Sequence, residues 1–304
     1  MRKKWLIATV ILLVLLISLI YIVIPGQFDA SYVRPVRCNT SGAFRAISDS
    51  SFWAKWWPEQ GIKGYSCQVK GHAYPKVAMV LQDGDELIPG TVSILPTGFV
   101  DSTMLFMSCH FSPGANPVSR VVQYLKAISI HHEMAPAVTL LSSFLEKKEN
   151  IYGMDVQTGM STDSTLVVMQ LVTPAYPSTA ELYRAIHAIR DYVASQGARE
   201  TNSPMLHVIP QQDGHCESMV GIPVNKELKG TAVLVPKRFV PWKVLMGEVH
   251  GGTYTAERAM DQLRLYADDY HKTTMAASFQ SLVTERDQER DTTRWITRVE
   301  VPVP

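Results

Sequence analysis

The chain has 304 residues, 46% of them apolar and 19% charged, with a formal net charge of +1. This composition excludes a disordered chain. The near-neutral charge gives no electrostatic basis for nucleic-acid binding, and the length accommodates two domains of ordinary size.

The first residues differ from the rest. Arg2, Lys3 and Lys4 precede a stretch from Trp5 to Ile24 that carries no charge. About 20 apolar residues suffice for a helix to cross a bilayer, and no face of this segment is polar. A cleaved signal peptide would have a shorter apolar region and a small-residue cleavage site; only Asp29-Ala30 offers one. The sequence therefore predicts an uncleaved anchor over 1–27. The basic residues stay cytoplasmic and everything after Gly26 faces outward, or into the periplasm from an inner membrane.

A strand is expected over 29–38, then a short helix over 40–49 capped by Thr40 or Ser41. A second short helix over 50–60 holds Trp53, Trp56 and Trp57 and stops at Pro58. Four strand-like segments follow at 65–75, 76–87, 90–100 and 102–111, with hairpin-type turns between them. Helical periodicity takes over at 118–150: Val121, Tyr124, Leu125 and Ile128 fall on one face, and Pro136 separates or kinks the two halves. Cys38, Cys67, Cys109 and Cys216 form no C-x-x-C pair. They are either buried inert thiols or include one disulfide, for which Cys67 and Cys109 are the candidates.

The order of these elements, with the "FWAKWWP" run from Phe52 to Pro58, resembles the START-like/Bet v 1-like (SRPBCC) superfamily over about 28–150. The resemblance implies a helix-grip fold in which strands curl around the long helix and enclose an apolar cavity for lipids or other hydrophobic molecules. Physical reasoning leaves the cavity open or filled, since Met79, Met104 and Met107 could occupy it. The Trp cluster is either core packing or a ligand cage.

From Ile151 the pattern changes. One or two strands over 151–177 precede an amphipathic helix over 178–197, with Leu182, Ile186, Ile189 and Val193 at helical spacing. Ser178 and Glu181 form a capping box and Gly197 ends the helix. Strands at 204–210 and 215–224 follow. The same succession then recurs: strands over 230–251, a helix over 253–271, and closing strands at 278–285 and 294–303. His250, Gly251 and Gly252 form the joint between strand and helix.

"VGIPV" (220–224), "EVHGGTY" (248–254) and "WITRVEVPV" (295–303) resemble the GyrI-like effector-binding family. The resemblance implies a pseudo-two-fold pair of β-α-β-β halves over 151–304, with a ligand cleft between them that takes cationic or hydrophobic molecules; some relatives hydrolyse electrophilic ones. Where the family pattern places an acid on the first closing strand, this chain has Gln280. Leu282 stands at the position of a Tyr, Glu285 at that of an Asp, and Arg286 at that of a Pro. A neutral Gln removes the base and the cation attractor, so the central crevice is expected to lack an ionised acid. Other chemistry finds no support. His131 and His132 are adjacent on a helix and point about 100° apart, too far for one ion. No nucleotide loop or nucleophile elbow occurs.

The sequence thus predicts an α+β chain: transmembrane anchor 1–27, START-like domain 28–150 and GyrI-like domain 151–304. Its expected role is non-catalytic capture or sensing of a small hydrophobic or lipid-like molecule at the membrane, with no cofactor, no metal and no nucleic acid. The candidate ligand-binding residues are Tyr183, Trp242, Tyr254, Gln280, Leu282 and Glu285. The alternatives are a hydrolase of small electrophiles using Glu285 or Glu248, and a scaffold with filled cavities.

Overall fold

A computed structural model describes residues 2–58, 61–62, 64–161, 165–238 and 241–304. The C-terminal end of the predicted helix at 50–60 and parts of the stretches 151–177 and 230–251 lie outside these residues. The chain forms two compact α+β units, Met1–Lys147 and Lys148–Pro304, each built on one antiparallel sheet.

The first unit opens with helix α1 (Arg2–Val23), whose Lys4–Val23 portion is long and apolar enough to be a membrane span or a signal sequence. Strand β1 (Phe28–Val36) leads into α2 (Thr40–Ser48), a 3-10 turn (Ser50–Phe52) and α3 (Trp53–Trp56). The cap of α2 is Asn39, one residue before the expected Thr40 or Ser41. Its carboxamide accepts from the backbone N–H groups of Ser41 and Gly42, which a side chain already inside the first turn reaches less well. The indoles of Trp53, Trp56 and Trp57 pack on one another at 4.8–5.9 Å, and Trp53 donates to the Ile47 carbonyl.

Strands β2 (Ser66–Ala73), β3 (Lys76–Asp83), β4 (Glu86–Pro96) and β5 (Thr103–Phe111) complete a sheet of order β1-β5-β4-β3-β2. Helix α4 (Pro117–Leu145) packs on β1 and β5. Its buried side recurs at Ala127, Ile130, Met134, Ala137, Leu141 and Leu145, facing Met79, Leu81, Ile94, Leu105 and Met107 of the fully buried core. The structure removes one alternative at each of two places. Helix α4 continues through Pro136, its long apolar face outweighing the lost backbone hydrogen bond. Cys67 and Cys109 are free thiols. They lie on β2 and β5 with two strands between them; three inter-strand steps of about 4.8 Å separate their backbones far beyond the roughly 6 Å that a disulfide spans.

The second unit contains α5 (Lys148–Tyr152), β6 (Gln157–Met160), β7 (Thr165–Thr173), α6 (Thr179–Ser195), β8 (Met205–Pro210) and β9 (Cys216–Pro223). Then come β10 (Leu234–Arg238), β11 (Lys243–His250), α7 (Thr253–Asp269), β12 (Phe279–Leu282) and β13 (Ile296–Val303). The capping box of Ser178 and Glu181 starts α6. Gly251, at φ 141°, makes the joint into α7; a Cβ there would meet the Thr255 hydroxyl.

The strands run in the order β10-β7-β9-β8-β12-β13-β11-β6. Matching β6–β9 with β10–β13 gives the same succession from either end, with β8 and β12 at the midline. Helix α6 covers a core of Val167, Leu206, Val220 and Ile222, and α7 covers one of Leu245, Val299 and Val301. Gln280 pairs with Leu206 on one side and with Val299 on the other. Directly opposed residues share a face, so both helices lie on the same face of the sheet.

Candidate functional site

A recess of about 190 Å3 opens on that helical face at the midline. Its floor is Leu206 and Val208 of β8 and Gln280 of β12; its wall is Glu257, Met260, Asp261 and Arg264 of α7, with Tyr176 at the far side. The four α7 residues recur at i, i+3, i+4 and i+7, which puts them on one stripe. Met260 also belongs to the α7 core, so the stripe borders that core. Periodicity read from apolar residues alone passes over such a stripe.

Gln280 is buried, and its amide nitrogen donates to the Tyr176 hydroxyl at 3.2 Å. Burial raises the Tyr176 hydroxyl above its ordinary pKa, with the Gln280 hydrogen bond pulling the other way. His207 donates from Nδ1 to the Ser278 carbonyl, 2.6 Å away. Asp261 is 3.4 Å from Arg264. Glu257 has neither an ion-pair nor a hydrogen-bond partner among the described residues. Burial, and secondarily the Asp261 charge, push its carboxyl above the usual carboxylate range. The crevice therefore does contain an acid, contrary to the sequence expectation. It comes from the helix and not from the closing strand.

The residues singled out from sequence are not gathered at one place. Gln280 lines the recess. Leu282 is buried in the α6 core beside Tyr183. The Tyr183 hydroxyl donates to the Thr284 carbonyl and accepts from the Arg286 backbone N–H, and burial pushes its pKa up to about 12. Glu285 is bound by Arg190, whose guanidinium also holds Glu200. These contacts, the Glu285 hydrogen bond foremost, raise the Arg190 pKa. Glu248 is exposed and paired with Arg298 at 2.9 Å. Tyr254 is 75% exposed on the first turn of α7.

Trp242 lies elsewhere. It borders an apolar recess of about 90 Å3 with Leu166, Val168, Met205, Met219 and Phe279. It also borders a broader apolar hollow of about 490 Å3 with Met160, Met275 and Pro302. On β8 and β7, Met205 and Val168 alternate with Leu206 and Val167 of the α6 core, so this apolar surface is the sheet face without helices.

No protein-family model and no curated protein matches the chain. Solved structures are similar in fold only. A structure of EcmrR in complex with DNA matches over 62% of this chain and 72% of its own, at 14% identity and a TM-score of 0.46. SAV2435 bound to tetraphenylphosphonium matches over 50% of this chain and 94% of its own, at 16% identity and a TM-score of 0.33. A hydrolase from Listeria innocua matches over 49% and 92%, at 8% identity and a TM-score of 0.36. These values assign neither a family nor an activity to this chain.

Proposed function

We propose that this chain is a membrane-anchored binding protein whose second unit captures a small molecule bearing an N–H donor or positive charge, without altering it chemically. The observation that carries this reading is Glu257, an unpaired, partly buried carboxylate on the wall of a recess that also holds Tyr176 and Gln280. A partly desolvated acid without a partner is stabilised by a cationic or N–H group. The recess is smaller than the roughly 300–1,000 Å3 of drug-sized ligand pockets, so the occupant is small.

The domain reading goes with it: an anchor over 1–27, a START-like domain over 28–150 and a GyrI-like domain over 151–304. Strand order that reads alike from both ends supports the duplicated GyrI-like half. A long helix packed on an antiparallel sheet supports the START-like half. The apolar Lys4–Val23 helix supports the anchor, with both units outside or in the periplasm. Nucleic acid has no part in this reading.

The test is titration calorimetry of the full-length chain in detergent with benzylamine and with benzyl alcohol, its uncharged analogue. Binding of the amine, weakened about ten- to a hundred-fold by Glu257→Gln, is the expected result; that range corresponds to one charge-assisted hydrogen bond of about 1.5–3 kcal/mol. Equal binding of both probes, or of neither, would contradict it.

A second reading is favoured by the apolar surface around Trp242, which fits capture of a hydrophobic molecule there. It predicts that Trp242→Ala, and not Glu257→Gln, abolishes binding. The rival enzymatic reading uses Glu257 as a general base, since Glu285 and Glu248 are both engaged by arginines. It requires turnover that Glu257→Gln removes.

A further inference from the structure

The last turns of α1 are fastened to the start of α4. The two helices pack together, and within the span Ile17 and Ile20 are half-buried while most of their neighbours are exposed. The Tyr21 hydroxyl donates to the Ala115 carbonyl. Arg120 of α4 donates to the Ile24 carbonyl at 2.9 Å and to the Gly114 carbonyl at 3.0 Å, and its guanidinium stands 4.4 Å over the Tyr21 ring. One arginine thus ties the carbonyl end of the span to the loop and helix that α4 begins from. These contacts place the first turns of α4 beside the end of the span.

Those same turns carry an unpartnered apolar stripe. Val118, Val122 and Leu125, at i, i+4 and i+7, are 69%, 54% and 60% exposed, and Ile128 flanks them. They lie opposite the buried Ala127, Ile130 and Met134. The stripe is interrupted further along the helix: the next residues on that face include His132 and Glu133, both exposed. Over ten residues it is about 15 Å long. Tyr124 flanks it beside Ile128, and Arg120 with Tyr21 lies on the other side of the same turns; these residue types have an apolar body and a polar tip that suit the level of lipid headgroups.

We propose that the first three turns of α4 lie in the surface of the bilayer that holds α1, with Val118, Val122 and Leu125 immersed at the boundary between headgroups and acyl chains. The occupant of the stripe is lipid and not a second protein. The run of exposed apolar side chains coincides with the turns that the Tyr21 and Arg120 contacts hold beside the span, and it is interrupted at His132 and Glu133 beyond them. This inference rests on the reading of α1 as a membrane anchor. Burying such a stripe fixes the tilt of the first unit on the membrane as an interfacial helix does.

The test uses the full-length chain in nanodiscs of phosphatidylcholine and phosphatidylglycerol. Photoreactive benzoylphenylalanine replaces, one at a time, Val14 in the span, Val122 or Leu125 on the stripe, and Phe99. Phe99 is 73% exposed on the turn between β4 and β5, at the opposite end of the sheet from the Phe28 end of β1. All four positions are exposed, and two of them sample the stripe. After illumination, intact-mass measurement is expected to show lipid adducts at 14, 122 and 125, several-fold above those at 99. Lipid adducts at 14 but at neither 122 nor 125 would overturn the inference and leave the anchor reading standing. Chain-to-chain adducts at 122 and 125 would overturn it in favour of a second copy. Absence of lipid adducts at 14 would overturn the anchor reading and the inference with it.

Discussion

Gln280 and Tyr176 meet at 3.2 Å across the floor of the recess, the amide nitrogen donating to the hydroxyl. Both groups are at least partly withdrawn from water, so each is the other's means of staying satisfied. Gln280→Leu keeps the side-chain size and leaves the tyrosine hydroxyl without its partner. It is expected to cost about 1–3 kcal/mol in urea unfolding, while Tyr176→Phe combined with Gln280→Leu costs less than the sum of the two single changes.

Arg190 holds two acids at once. Its Nε is 2.9 Å from Glu200, and its Nη1 is 3.0 Å from Glu285. Removing it leaves two carboxylates facing each other, whereas removing either acid leaves the arginine one partner. Arg190→Ala is therefore expected to lower stability by about 2 kcal/mol, more than Glu285→Gln does, and both effects shrink in high salt because the network is partly exposed. Urea titrations at low and high ionic strength check this. Amine binding should be unaffected by Glu285→Gln, since Glu285 lies outside the recess.

Gly90 is the narrow point of the first sheet. A Cβ at this position would stand 2.7 Å from the Ser108 carbonyl oxygen and about as close to Met79 Cε and Cys109 Sγ. The methionine end could yield; the backbone oxygen could not. Gly90→Ala is expected to destabilise the chain by about 1–3 kcal/mol, seen as a lowered thermal midpoint.

Burial pushes the thiols of Cys67 and Cys109 up to about 12. At pH 8 both are protonated and unreactive. Iodoacetamide is expected to leave them unmodified in the native chain and to label both once urea unfolds it, as read by peptide mass. Non-reducing electrophoresis should show no internal crosslink.

Much of the element order was legible in the sequence because period and punctuation agreed. The Ser178–Glu181 capping box, the i, i+3, i+4 spacing of α6 and the Gly-containing turns each point one way, and local signals that agree are the ones that survive folding. Pro136 does not separate two helices, because a 29-residue helix with a continuous buried face tolerates one missing hydrogen bond. The sequence could not choose between free thiols and a Cys67–Cys109 bridge, because strand order, and so lateral distance, is absent from a linear pattern. The recess was only half legible. The resemblance singles out Gln280, whereas the apolar periodicity of α7 singles out none of Glu257, Asp261 and Arg264. Nothing local distinguishes a polar stripe facing water from one facing a crevice across the sheet midline.

The central claim is that Glu257 is the acid that receives the ligand, and the pH dependence of amine binding tests it most directly. Glu257 has a folded pKa above the usual carboxylate range. The folded chain therefore holds this proton more tightly than the unfolded chain, so its contribution to stability is full at low pH and is lost as pH rises through the folded pKa. Binding of a permanently charged probe runs the other way, strengthening as the carboxyl ionises. Titration calorimetry of the full-length chain with benzyltrimethylammonium should show affinity rising with pH through that raised pKa, and a flat, weak profile for Glu257→Gln. An affinity independent of pH, or a pH profile unchanged by Glu257→Gln, would contradict the account.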